Sequence, residues 1–427
     1  MKREIMRFWI FVGMLLGTMN LWGQQAFDAR AAGMAFSNGA AARGLEQVGL
    51  NPAVLGLKTS FNFEINLLSA NLSVANNGFK KSEYDRYFTS GDVLTSEDID
   101  HILNAIPDGG LRADGFARLN TLSLYMPNFS LSLVGLGVGS LNIPRDILEL
   151  PLTGNNQPGR VYNFDDANGS DWASMGIYAS GGYNFVLDAP ALQALAVGVT
   201  LKYLAGFRYD DIVRSSGELR DFSLLERNPY VNLRGEAEVL SAGGGRGYGM
   251  DLGLLGTISQ RFSVGITLLN PLGKIDWDSD PERRLLAIVG DSLTLPDRIS
   301  DSLLVDSDTL IATASFSSNL PTVLDLALAF QATPSLLVTG EYEQGLNNNM
   351  GGTRRARVAL GMEYSGIYGF PLRMGVNLGG VMGPSYAVGA GIDLKYWYLN
   401  LAYINHGRIL PGDYKGATLA LSTRLRF

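Results

Sequence analysis

The sequence predicts an all-β transmembrane fold: an antiparallel outer-membrane β-barrel of about fourteen strands. Three observations carry that expectation. The last fourteen residues, Tyr414 to Phe427, alternate without a slip. Short and long connections alternate along the whole chain. The amino terminus has the pattern of an export signal.

The C-terminal segment places Ala417, Leu419, Leu421, Thr423, Leu425 and Phe427 on one face, and Gly416, Thr418, Ala420, Ser422, Arg424 and Arg426 on the other. Successive strand side chains point to opposite faces, so one face is apolar and the other polar. Its final aromatic residue resembles the signal by which outer-membrane barrels are recognised by the barrel assembly machinery. A soluble sandwich strand alternates as cleanly, so the surroundings must decide.

At the other end, Lys2, Arg3 and Arg7 precede a short apolar run, Phe8 to Leu16, with a cleavage point at Gly23-Gln24. This is a Sec signal peptide over 1–23. The run falls short of the roughly 18 apolar residues a spanning helix needs, and no later stretch approaches that length. Without cysteine there is no lipoprotein anchor, disulfide frame or thiolate metal site. Cleavage removes a net +2 from a formal −7 and leaves about −9, which argues against nucleic acid as a partner. Abundant glycine, low charge and near-zero hydropathy suit a wall whose lipid and lumen faces average out.

Strands are predicted near 60–74, 118–126, 129–142, 172–186, 193–209, 245–258, 262–270, 320–332, 335–345, 354–365, 371–380, 385–395, 396–405 and 414–427. Tight turns fall at Pro127-Asn128, Asp188 to Pro190, Ser259-Gln260, Thr333-Pro334, Gly366 to Phe370 and Lys395-Tyr396. Longer excursions cover 75–117, 143–171, 210–244, 271–319, 346–353, 381–384 and 406–413. An even-numbered barrel with both termini in the periplasm alternates this way. The faces also agree between strands. Val358, Leu360, Met362 and Tyr364 point outward against inward Arg357, Ala359, Gly361 and Glu363. Trp397 and Tyr403 bracket Leu399 and Leu401, as two bilayer interfaces favour. An open edge in lipid would strand backbone groups, so the sheet must close.

Before the first strand, Arg30, Gly33 and Met34 lead to Asn51-Pro52-Ala53. This segment resembles the N-terminal hatch of the FadL family of outer-membrane fatty-acid transporters and of the related PorV-type barrels of type IX secretion. Residues 196–203 are similar to a PorV-type strand, and 320–329 to a strand start shared by both groups. The resemblance implies a hatch over 24–58 plugging a fourteen-strand barrel over 59–427, in a Gram-negative outer membrane. It implies passive transport of a hydrophobic small molecule. The alternatives are a PorV-like accessory that holds or shuttles secreted proteins, or a purely structural outer-membrane protein.

The third strand is unusual. Phe129, Leu131 and Leu133 are outward and Ser130 and Ser132 inward, but from Val134 the chemistry exchanges. Gly135, Gly137 and Gly139 take the outward phase, and Val134, Leu136 and Val138 the inward one. Glycines in a strand mark a bulge, a kink or a close approach. In the FadL family the third strand is kinked into a lateral opening, so one reading is an apolar side exit. The other is a bulge that resets the alternation.

Glu341 and Glu343 face inward on one strand, Arg355 and Arg357 on the next. The register 343 opposite 355 and 341 opposite 357 would make two cross-strand ion pairs bracing the lumen. In the long connections, 96–106 is an amphipathic helix capped by Thr95, with Ile99, Ile102, Leu103 and Ile106 on one face. Apolar clusters at Leu285 to Val289 and Leu303 to Val305 suggest loops packing on one another. Asp276, Asp278 and Asp280 begin like a calcium loop, but Pro281 and Ala287 break the pattern. His101 and His406 lie apart, and no nucleophile elbow, phosphate loop or dinucleotide fingerprint occurs. Neither catalysis, a metal nor a cofactor is expected.

Overall fold

The computed structural model describes residues 26–153, 159–187, 192–221, 231–293, 304–410 and 412–427. The signal peptide, the turn at Asp188 to Pro190 and Leu303 lie outside the described residues. No helix among those described is long and apolar enough to cross a membrane.

Fourteen strands build a closed antiparallel barrel. The wall begins with β1 (Glu64–Asn76), β2 (Leu111–Met126) and β3 (Phe129–Ile143). A three-residue strand, β4 (Val161–Asn163), stands above the wall before β5 (Asn168–Val186) and β6 (Ala194–Asp221). After β7 (Val231–Ala242), the wall resumes with β8 (Gly244–Ser259) and β9 (Phe262–Ser279). Next come β10 (Glu282–Leu293), β11 (Leu304–Ala312) and β12 (Phe316–Asn319). The wall closes through β13 (Val323–Thr333), β14 (Leu336–Gly345), β15 (Arg357–Tyr364), β16 (Leu372–Gly379), β17 (Ser385–Asp393), β18 (Trp397–His406) and β19 (Gly416–Arg426). β19 pairs with β1 from Glu64↔Arg426 to Ala75↔Gly416, which leaves no edge in lipid.

Every predicted strand is present. The connections 210–244 and 271–319 differ from expectation, because they are built largely of sheet, whereas 143–171 holds a helix, Arg145–Thr153, and the three-residue β4. β6 is 28 residues long and continues past Tyr209, pairing there with β7, which pairs with β10, which pairs with β11. The clusters Leu285 to Val289 and Val305 therefore belong to strands β10 and β11 rather than to packed loops. A membrane strand needs roughly 9–11 residues, so β5 to β9 rise well above the bilayer at the long-connection end. Across the barrel, β15 has 8 residues and β18 has 10. The wall is tall on one side and short on the other.

The faces follow the predicted parity. Leu360, Leu401 and Leu419 are more than half exposed, whereas Ala359, Ala402 and Ala420 are buried. At the short-turn rim, exposed Tyr183, Phe185, Tyr364, Tyr368, Phe370, Tyr396, Trp397 and Phe427 form an aromatic belt. Phe427 joins the rim by backbone hydrogen bonds with Phe63 in both directions.

Strand β3 carries no bulge of its own. It runs in unbroken register with β5 from Phe129↔Gly181 to Asn142↔Asn168, and the break in the β2 pairing lies at Thr121/Leu124, before the glycines. The change at Val134 is one of side-chain chemistry at constant parity. The bulge reading fails for this reason.

Candidate functional site

Residues 26–57 are almost wholly buried and bond to inward side chains around the barrel. Helix α1 (Ala29–Gly33) is capped by Asp28, whose Oδ1 accepts from the Arg30 backbone N–H at 2.8 Å. A second turn, Pro52–Gly56, is capped by Asn51, whose Oδ1 accepts from Ala53 N–H at 2.9 Å, with proline at the position where a missing N–H is harmless. Asn51 Nδ2 also donates to the Leu254 carbonyl at 2.8 Å. The motif residues fit against bare backbone. A Cβ on Gly375 would meet the Met34 carbonyl carbon at 2.5 Å, and Gly33 would meet Gly389 Cα at 3.1 Å. One on Gly182 would meet the Gly56 nitrogen at 2.7 Å.

Arg30 is the electrostatic anchor of this segment. Its guanidinium grips Glu363 through two bonds of 2.7 and 2.8 Å and reaches Glu46 at 2.7 Å. Arg373 joins Glu363 at 2.6 Å. Arg426 meets Glu64 at 2.7 Å and Glu46 at 3.2 Å, and Arg424 pairs with Asp28. Buried charges persist only when paired and hydrogen-bonded, and here every partner lies on another element. Parity alone marks Glu363, Arg373, Arg424 and Arg426 as inward. Nothing in the sequence shows that they converge on Arg30, Asp28 and Glu46.

The pairs expected between β14 and β15 form differently. Glu343 lies opposite Arg357 and Glu341 opposite Ala359, a slip of two from the predicted register. Arg357 serves both acids, at 3.1 Å to Glu343 and 3.5 Å to Glu341, and donates to the Ala35 and Phe36 carbonyls. Arg355 lies before the strand begins, exposed, and pairs with neither. After a compact turn at Asn349–Gly351 with positive φ at Met350 and Gly351, residues 354–356, which alternation counts as strand, stay in the connection, and β15 begins at Arg357.

On the tall side an apolar cluster lines part of the interior, beside the buried Lys202–Asp251 ion pair whose ammonium lies 5.1 Å over the Tyr178 ring. Phe27 and Val48 of the N-terminal segment join Val134 and Val138 of β3, Trp172 and Tyr178 of β5 and Leu204 of β6 in one buried cluster. It continues upward through Tyr209, Ile275 and Trp277 to Leu320 and Met350, with Leu136 packed against it. Trp172 donates to the Met350 carbonyl at 3.0 Å, which satisfies its indole inside the column. The strand glycines stand against this column on the lipid side. A Cβ on Gly135 would come no closer than 3.6 Å to any neighbour, and one on Gly137 no closer than 3.9 Å.

Above the wall, the expected helix is present as α2 (Ser96–Ala105), with Thr95 capping through Asp98 N–H. Hydrogen bonds from Thr95, with Arg86 nearby, hold the Asp98 carboxyl below its usual range. Ile102, Leu103 and Ile106 pack with Phe79 and with Leu148 and Leu152. His406 is buried between Ser385 and Thr418 at 2.9 and 2.7 Å.

Neither a protein-family profile nor a curated protein matches the chain. Solved structures do. The Ralstonia pickettii toluene transporter TbuX superposes with a TM-score of 0.51 at 14% identity, over 94% of this chain and 99% of that one. The Pseudomonas putida toluene transporter TodX gives 0.51 at 12%, over 94% and 99%. A TodX deltaS2S3 mutant, a monoaromatic hydrocarbon channel, gives 0.54 at 13%, over 94% and 98%. At such identities the likeness is one of fold. The fold is that of the FadL-like outer-membrane barrels, over nearly the whole chain.

Proposed function

We propose that this chain lets hydrophobic small molecules cross the outer membrane of a Gram-negative bacterium passively, after Sec export and insertion by the barrel assembly machinery. The observation that carries this reading is the buried apolar column from Tyr209 and Trp277 down past Val134 and Val138 to Phe27 and Val48. A solute without hydrogen-bonding groups pays no desolvation cost along such a surface, whereas a polar one forfeits its water. The named neighbours of like fold include toluene transporters. In this reading residues 24–58 are the hatch, held by Arg30, Met34 and Asn51, and it separates the column from the periplasm. The lateral exit lies at β3, along Val134 to Gly139, where Gly135 and Gly137 leave only backbone between Val134, Leu136 and Val138 and the lipid. Because the ladder beside the glycines is continuous on both sides, a solute leaves there only when β3 parts from one of its neighbours. No catalysis and no cofactor belong to this reading.

A PorV-like role in holding secreted proteins is favoured by one observation, the β6–β7–β10–β11 sheet standing beyond the bilayer. Mass spectrometry of molecules retained after gentle detergent purification separates the two. An apolar small molecule in the barrel is the expected result; co-purifying secreted protein with no small molecule would favour the accessory role.

A further inference from the structure

We propose that Asp325, Glu341 and Glu343 form a binding site for one divalent, oxygen-seeking cation such as calcium, placed where the N-terminal segment meets the wall. Asp325 on β13 lies directly opposite Glu343 on β14, and Glu341 is two residues along on the same face. Each offers a carboxylate oxygen, and the three oxygens lie within 4.8 Å of one another. Among the described residues this is the one such convergence of three acidic, histidine or cysteine side chains. All three residues are more than nine-tenths buried.

Three buried carboxylates repel unless something positive lies between them. Arg357 reaches Glu343 and Glu341 but makes no ion pair with Asp325. Arg118 on β2 also faces Glu343. Asp325 Oδ1 is buried with no N–H or hydroxyl donor beside it. A buried acceptor of that kind calls for a ligand that fills it. Oxygen donors alone, without nitrogen or sulfur, select hard cations, and calcium tolerates carboxylates together with water in an irregular shell. A small crevice lined by Pro321, Val323, Gly345, Asn347 and Thr353 also touches Glu343.

The site bears on the N-terminal segment, because Glu341 Oε2 accepts the Gly39 N–H at 2.9 Å. A cation holding Glu341 thereby fixes one attachment of that segment. The competing arrangement is a proton shared by Asp325 and Glu341, which uses the same geometry without an ion. The inference is independent of what the barrel conducts.

The test is calorimetric titration of calcium into the full-length barrel in detergent after chelator treatment, with the thermal midpoint followed alongside. One calcium per barrel and a raised midpoint are expected, with Asp325→Asn weakening binding about tenfold or more, since affinity follows the count of charged ligands. Glu343→Gln should weaken it likewise. No binding by the wild type up to millimolar calcium overturns the proposal in favour of the shared proton. Unchanged affinity in both variants overturns it by placing the ion elsewhere. The wild-type titration decides even where a variant fails to assemble.

Discussion

Arg357 shows what one lumenal side chain carries. It neutralises two buried acids and ties the Ala35 and Phe36 carbonyls to the wall. Removing it leaves Glu341 and Glu343 buried without the ion pairs they make with it, so Arg357→Met should cost about 3–5 kcal/mol of barrel stability. Arg355→Met, at an exposed site, should stay within about 0.5 kcal/mol. Heat-modifiable unfolding of the two variants in detergent measures the contrast, and equal losses would contradict the register of β14 and β15. At this scale the sequence showed which way Glu341, Glu343 and Arg357 point, because parity is local. It did not show which acid meets which arginine, because register depends on the path of the hairpin through Asn349–Gly351. The pairing of Arg30 with Glu363 spans 333 residues and leaves no local signal at all.

The element that most directly defines the interior is the segment 26–57, seated on glycines. Gly375→Leu would drive a side chain into the Met34 carbonyl, and the segment is the part that can yield, since the wall strands are tied to both neighbours. Planar-bilayer conductance should therefore rise above that of the wild type while heat-modifiable migration on gels persists. An assembled variant with unchanged conductance would mean that the segment does not close the lumen. Fourteen strands could be found in the sequence because lipid and lumen impose opposite chemistry on alternate residues. The strands above the bilayer escaped notice for the converse reason. In β10 and β11 neither face meets lipid, so Glu-Arg-Arg-Leu-Leu and Asp-Ser-Asp-Thr-Leu show no alternation to read. In β3 the alternation was present, and the glycines disguised it as a phase change.

As a whole the molecule is lopsided. A short wall, β14 to β19, bears most of the charged anchors of the N-terminal segment. A tall wall, β3 to β9, carries the apolar column. On the proposed reading, one wall holds the N-terminal segment and the other offers an apolar path that ends beside bare backbone at Gly135 and Gly137. The most direct test is uptake, at matched surface abundance, of an apolar solute such as toluene and of a polar solute of similar size. Cells with the wild-type barrel, with Gly137→Trp and with no barrel should be compared. The expected result is faster uptake of the apolar solute alone through the wild type, reduced by Gly137→Trp. Equal uptake through Gly137→Trp would remove the exit at β3 and leave the column in place. Apolar uptake no faster with the barrel than without it, or polar uptake equally accelerated, would contradict the account.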